Sequence, residues 1–195
     1  MAEKEVIETS EAEIAVHWGE EEYYYPSTEF IAQANMTDKG IYERMSLDKC
    51  PNYWKEYADL LDWYEYWDEI LDTSDAPCYK WLKGGKINAS YNCIDRHLPE
   101  RASQTAIIWE GDDPAQSKHI TYGELKDHVC KLANALKARG VKKGDRVCIY
   151  MPMIPEAVVS MLACARLGAI HSVVFGGFAP HELAIRIDDA KPKLI

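Results

Sequence analysis

The sequence predicts an α/β fold in which an amino-terminal helical extension precedes a parallel βαβ unit. Three observations carry that expectation. Residues 147–150, Val-Cys-Ile-Tyr, form a short apolar run stopped by Pro152 and Pro155; residues 156–167 are rich in small residues until Gly168 ends them; residues 170–175 are apolar again. Strand, helix and strand in that order favour a parallel sheet with a crossover helix, and such sheets gather ligands at the carboxyl ends of their strands. Phe175, Gly176, Gly177 and Phe178 stand at such an end.

From the amino terminus, residues 1–22 carry eight glutamates against the single Lys4 and read as a mobile, solvated tail. Aromatic residues then crowd the chain up to Trp81. Pro51 suits the first turn of a helix, and Trp54, Tyr57, Ala58 and Leu61 fall at i, i+3, i+4 and i+7, which makes one face apolar. Such a stripe could stack on a base or sugar, but this spacing more often packs a core, so the segment reads as a helical arm against the α/β body. Pro77, Gly84 and Gly85 make residues 76–90 a surface connection, which divides the chain into an extension, 23–85, and the start of the main domain, 86–195.

Beyond that boundary, residues 91–98 predict a short helix closed by Pro99, residues 106–109 a short strand and residues 110–114 a turn. Thr121 caps a helix through residue 139, with Glu124 reaching back in a capping box, and Leu125, Val129, Leu132 and Leu136 continue on one face. Gly140 ends it. Lys142 and Lys143 read as a solvated turn, and Gly144 with Asp145 leads into the strand at 146–150. Pro180 opens a helix through Ala190 with Leu183, Ala184 and Ile187 inward, and residues 193–195 begin another strand.

With 195 residues, 47% of them hydrophobic, the chain can bury a core. Its 22 basic and 32 acidic residues leave a net charge of −10, which disfavours nucleic acid, so no nucleic-acid partner is expected, because phosphate binding needs a clustered positive surface. The six cysteines show no C-x-x-C pair, so they read as buried free thiols in a reducing compartment rather than metal ligands. The first residues contain no apolar signal segment, and the longest apolar run is too short to span a bilayer, so a cytoplasmic protein without a membrane partner is expected. His97, His119, His128 and His171 are scattered and take packing or surface roles; Asp95 beside Arg96 reads as a structural ion pair.

Residues 109–178, from WEGDDPAQSKHITYGELK to AIHSVVFGGF, closely resemble the AMP-forming acetyl-CoA synthetases, and residues 25–72 are similar to that family's amino-terminal helical extension. A helix opened by T-Y-x-E-L marks the adenylate-forming superfamily as a whole. The combination YNCIDRHL, IIWEGDD, YMPMIPE and AIHSVVFGGF is narrower and points to acetyl- or propionyl-CoA synthetases. The resemblance implies an acetate–CoA ligase: a carboxylate attacks ATP to give an acyl-adenylate and pyrophosphate, and the coenzyme A thiol then displaces AMP, with Mg present in the complete enzyme.

The family's phosphate loop, nucleotide contacts, acyl-pocket tryptophan and catalytic lysine have no counterpart among these residues. Lys83-Gly84-Gly85-Lys86 and Phe175-Gly176-Gly177-Phe178 lack the spacing of glycine, lysine and hydroxyl that a phosphate loop needs. The resemblance therefore implies an amino-terminal fragment with no catalytic residue, inactive alone and without tight binding of ATP or coenzyme A. It matches Phe175, Gly176 and Gly177 to the coenzyme A pantetheine channel, where a glycine pair lets a narrow chain pass close to backbone. By residue type alone, the same pair is first a plain turn. Ala179 stands where the family carries serine, which leaves the following helix without a hydroxyl cap. The alternatives are a fragment of another acyl-CoA synthetase, or a non-enzymatic module that joins a full-length synthetase or self-associates through open strand edges.

Overall fold

The computed structural model describes residues 24–46 and 48–195. The segment 1–22, read above as a mobile tail, lies outside them. The chain forms two units, 1–47 and 48–195. In the first, Ser27 caps α1 (Thr28–Gln33) by accepting from the Phe30 N–H at 3.2 Å, and α2 (Ile41–Arg44) follows, with Arg44 paired to Asp38 at 2.9 Å.

The second unit opens with α3 (Cys50–Ala58), which has Pro51 in its first turn. Its buried residues are Tyr53 and Ala58, whereas Trp54 and Tyr57 stay partly exposed and Leu61 lies beyond the last turn. The helical arm expected through Trp81 thus ends early. The Trp63 indole N–H donates to the Ala58 carbonyl at 2.8 Å and terminates the helix. The chain then forms an antiparallel hairpin of β1 (Glu69–Asp72) and β2 (Lys80–Lys83), with Leu71 opposite Trp81. Tyrosine and tryptophan serve strands as readily as helices, so aromatic content could not separate the two. Lys83 donates to Asp72 at 2.7 Å, and this bond holds the Asp72 carboxyl well below the usual carboxylate range.

Asn88 caps α4 (Ala89–Cys93) through the Tyr91 N–H at 3.1 Å, and a 3₁₀ turn at Asp95–His97 follows. Pro99 does not close this helix. It lies in the first turn of α5 (Leu98–Arg101), where a missing N–H costs nothing. β3 (Thr105–Glu110) pairs antiparallel with β4 (Ser117–Thr121), a strand the sequence reading left out because Ser-Lys-His-Ile-Thr has no apolar alternation.

α6 (Tyr122–Ala138) starts with the expected capping box: Thr121 Oγ1 accepts from the Glu124 N–H at 3.2 Å, and Glu124 Oε2 accepts from the Thr121 N–H at 2.9 Å. The Thr121 N–H, then its hydroxyl, pulls the Glu124 carboxyl below its ordinary pKa. β5 (Arg146–Met151) and β6 (Ile170–Phe175) pair in parallel, joined through α7 (Pro155–Leu167), which Gly168 closes at φ +71°. Leu194 adds a parallel bridge on the other edge of β5, its carbonyl accepting from the Cys148 N–H at 2.9 Å. Val129, Leu136, Val147, Ile149, Ala163 and Cys164 form the centre of the core between α6, α7 and β5, each such side chain contributing roughly 1.5–3 kcal/mol when large and apolar.

α8 (Pro180–Ala190) packs along β5 and β6, with Leu183 and Ile187 half-buried. Ala184 is exposed rather than inward, because two strands are too narrow to cover the helix's whole apolar face. All six cysteines are free; Cys148 and Cys164 are buried, and burial pushes both thiols up, but Cys78 and Cys93 are exposed rather than buried. No helix among the described residues is long and apolar enough to cross a membrane.

Candidate functional site

The candidate site lies at the carboxyl ends of β5 and β6, where a parallel sheet releases its loops. β6 ends at Phe175, and Gly176 and Gly177 make a turn closed by the Phe178 N–H donating to the Phe175 carbonyl at 3.1 Å. Neither glycine has a positive φ, so the turn by itself would accept other residues. A Cβ on Gly176 would sit 3.0 Å from both Met151 C and Pro152 N, so close backbone packing against the end of β5 favours glycine there. For a Cβ on Gly177 the three nearest atoms all belong to the Phe175 ring, Cε1 at 2.5 Å, and Phe175 is 56% exposed.

Four contacts fasten the turn. Tyr150 Oη, from β5, lies 3.2 Å from the Gly176 carbonyl oxygen and 3.0 Å from that of Phe178. The Phe178 ring meets Phe175 edge-on at 5.8 Å and carries the Arg186 guanidinium 4.5 Å from its centroid. Glu182, one turn earlier on α8, pairs with Arg186 at 3.0 Å. Across the mouth, the Trp109 indole N–H donates to the Met153 carbonyl at 2.9 Å, tying β3 to the loop after β5.

Phe175 ends β6 and Gly176 and Gly177 follow it at the carboxyl end of the strand pair, and the two glycines have different surroundings. Tyr150 was missed. A polar-tipped ring at the end of a Val-Cys-Ile run was the available signal, since a tyrosine there needs a partner for its hydroxyl.

The other motifs prove to be scaffolding. Lys83-Gly84-Gly85-Lys86 is the turn after β2, with Gly84 at φ +85° and Gly85 against the Trp63 ring. In YNCIDRHL, Asn92 accepts from the Asp62 N–H at 2.8 Å and donates to the Asp62 carbonyl at 2.9 Å, while Arg96 donates to Asn92 and to the Leu60 carbonyl, both at 2.9 Å. The expected Asp95–Arg96 pair does not form. Asp95 faces α7 and pairs with Arg166 at 2.5 Å, because neighbouring residues on a helical turn point apart.

Three clefts among the described residues lie elsewhere. His119 and His128 line one of 280 Å³ with Lys118, Glu124 and Glu156; an apolar groove of 360 Å³ follows β5 beside Leu132, Leu136 and Leu194; one of 430 Å³ sits between Lys86, Asn88, Lys143 and the end of α7. No group of three or more His, Cys, Asp or Glu among the described residues could hold a metal ion.

Comparison with known proteins gives the chain's relatives. Residues 94–195 match the family model for AMP-binding enzymes, and residues 41–93 match that for the acetyl-coenzyme A synthetase N-terminus. The acetyl-coenzyme A synthetase of Alkalilimnicola ehrlichii is 55% identical over 172 residues, 85% of this chain and 26% of that protein. That of Bradyrhizobium diazoefficiens is 58% identical over 161 residues, 80% and 24% respectively. Acetyl-coenzyme A synthetase 2 of Pseudomonas putida is 54% identical over 173 residues, 85% and 26%. The chain spans about a quarter of the length of these curated relatives.

Proposed function

Because this chain belongs to the AMP-binding enzymes and matches the amino-terminal portion of acetyl-coenzyme A synthetases, we propose that it supplies the extension, 23–85, and the first parallel βαβ unit, within 86–195, of an acetate–CoA ligase. Such a ligase activates acetate with ATP, releasing pyrophosphate, and the coenzyme A thiol then displaces AMP from the acetyl-adenylate. Magnesium, when bound in the complete enzyme, neutralises phosphate charge. Six unpaired cysteines suit a cytoplasmic setting.

The contribution of this chain to that chemistry is a wall for the pantetheine arm of coenzyme A. Phe175 supplies an apolar side, Gly176 lets the turn close onto β5, and Gly177 leaves the gap. Gly177 carries the reading: neither backbone strain nor a rigid neighbour explains its missing side chain, whereas a narrow ligand passing over it would. A second role is favoured by β6, whose exposed Ile170, Val173 and Phe175 suit association with another chain.

The isolated chain is expected to release no pyrophosphate with acetate and ATP, since it has no electrostatic clamp for the phosphates. A chimera in which it replaces the matched quarter of the Alkalilimnicola ehrlichii synthetase is expected to form acetyl-CoA at a rate within about tenfold of the parent. A folded but silent chimera, or turnover by the chain alone, would refute the reading.

A further inference from the structure

We propose that Tyr150 is a positioning residue for the thiol-bearing arm: its hydroxyl holds the Gly176–Phe178 turn in the shape that leaves Gly177 open, an inference that rests on the channel reading above. Tyr150 lies beside Val174 in the parallel register of β5 and β6, close to the end of both strands. It is 38% exposed, and its hydroxyl reaches back to the turn 26 residues later in sequence. A phenol has one proton to donate. That proton is shared between the Gly176 and Phe178 carbonyls at 3.2 and 3.0 Å, which draws both toward the same point.

The turn has little else of its own to hold it. Its internal bond is the Phe178 N–H to the Phe175 carbonyl at 3.1 Å, and a glycine pair is the most permissive backbone a chain can carry. Gly176 packs closely enough on Met151 and Pro152 that an added Cβ would lie 3.0 Å from their backbone, and its carbonyl is held by Tyr150. Phe178 is fixed through its carbonyl by Tyr150 and through its ring by Arg186. Gly177, between them, has no such contact of its own. Fixing both neighbours while leaving the middle residue bare preorganises a backbone surface, and a ligand meeting it loses less ordering free energy.

The test uses the whole 195-residue chain labelled with nitrogen-15 and pantetheine as the probe. Pantetheine is expected to shift the Gly177 amide resonance. Tyr150→Phe, which keeps the ring and removes only the oxygen, is expected to raise the pantetheine Kd about fivefold, the loss of one shared hydrogen bond. It should also speed amide exchange at Phe178 while Val147 and Ile149, in the core, exchange as before. A purely structural role would not move the pantetheine Kd with the core unchanged. Binding by both proteins with equal Kd and equal exchange would overturn the proposal and leave the channel standing. Loosened exchange in the variant, with no Gly177 shift in either protein up to the solubility limit of pantetheine, would instead overturn the channel reading and with it the ligand role of Tyr150.

Discussion

Gly176 and Gly177 are adjacent and chemically identical, but they answer to different constraints. At Gly176 an added methyl would press on the backbone of Met151 and Pro152 at 3.0 Å, and backbone at a strand end cannot retreat without breaking register. At Gly177 the three atoms nearest the same methyl all belong to the exposed Phe175 ring, a side chain that yields more readily than backbone. Gly176→Ala is therefore expected to destabilise the chain by about 1–2 kcal/mol, and Gly177→Ala by less than about 0.5 kcal/mol. Urea midpoints of the two variants decide the matter, and the reverse order would show that the turn is not packed as described. The sequence made the pair legible as a site because glycines after a predicted strand stand out. The division of labour between them was hidden, since it depends on Met151, which comes from a neighbouring strand. Asn92 and Arg96 teach the same lesson: their partners Asp62 and Leu60 lie at least 30 residues earlier, so the seam they form was not legible in the motif itself.

Elements with self-contained signals were readable, and those defined by distant partners were not. The capping box of α6 needs only Thr121 and Glu124, three residues apart, and Gly168 ends α7 with a left-handed φ that few other residues tolerate. β4 and the β1–β2 hairpin exist because each strand finds a mate, which no local pattern announces. α8 offers a test of how far local rules extend. Ala179 occupies its N-cap at φ −62° and ψ 155°, an extended geometry suited to a capping side chain, but it has no oxygen to offer the free N–H groups. Ala179→Ser is expected to raise stability by up to about 1 kcal/mol, and Thr121→Ala at α6 to lower it by about the same amount. Thermal unfolding of both variants checks this, and a neutral Ala179→Ser would mean that the α8 cap is already satisfied in solution.

At the scale of the whole molecule the exposed side of β6 stands against the net charge. The parallel register sets Ile149 beside Val173 and Met151 beside Phe175, so these four share one face of the strand pair. Ile149 is covered by α6 and α7, whereas Val173 and Phe175 are 52% and 56% exposed. The strand Ile-His-Ser-Val-Val-Phe carries neither lysine nor proline, the residues with which natural edges discourage pairing. Opposing this, a charge of −10 makes copies repel, and that repulsion is screened within about 10 Å at 0.1 M salt. The two terms depend oppositely on ionic strength, because salt weakens the repulsion and leaves the apolar attraction intact or strengthened. Association of the purified chain is therefore expected to increase with salt in sedimentation experiments. Val173→Lys, which places a charge on the open face without touching the core, is expected to keep the chain monomeric at low and high salt with its thermal midpoint unchanged. A wild-type chain that stays monomeric at high salt would remove the β6 face as an interaction surface, and a Val173→Lys variant that still associates would move that surface elsewhere on the molecule.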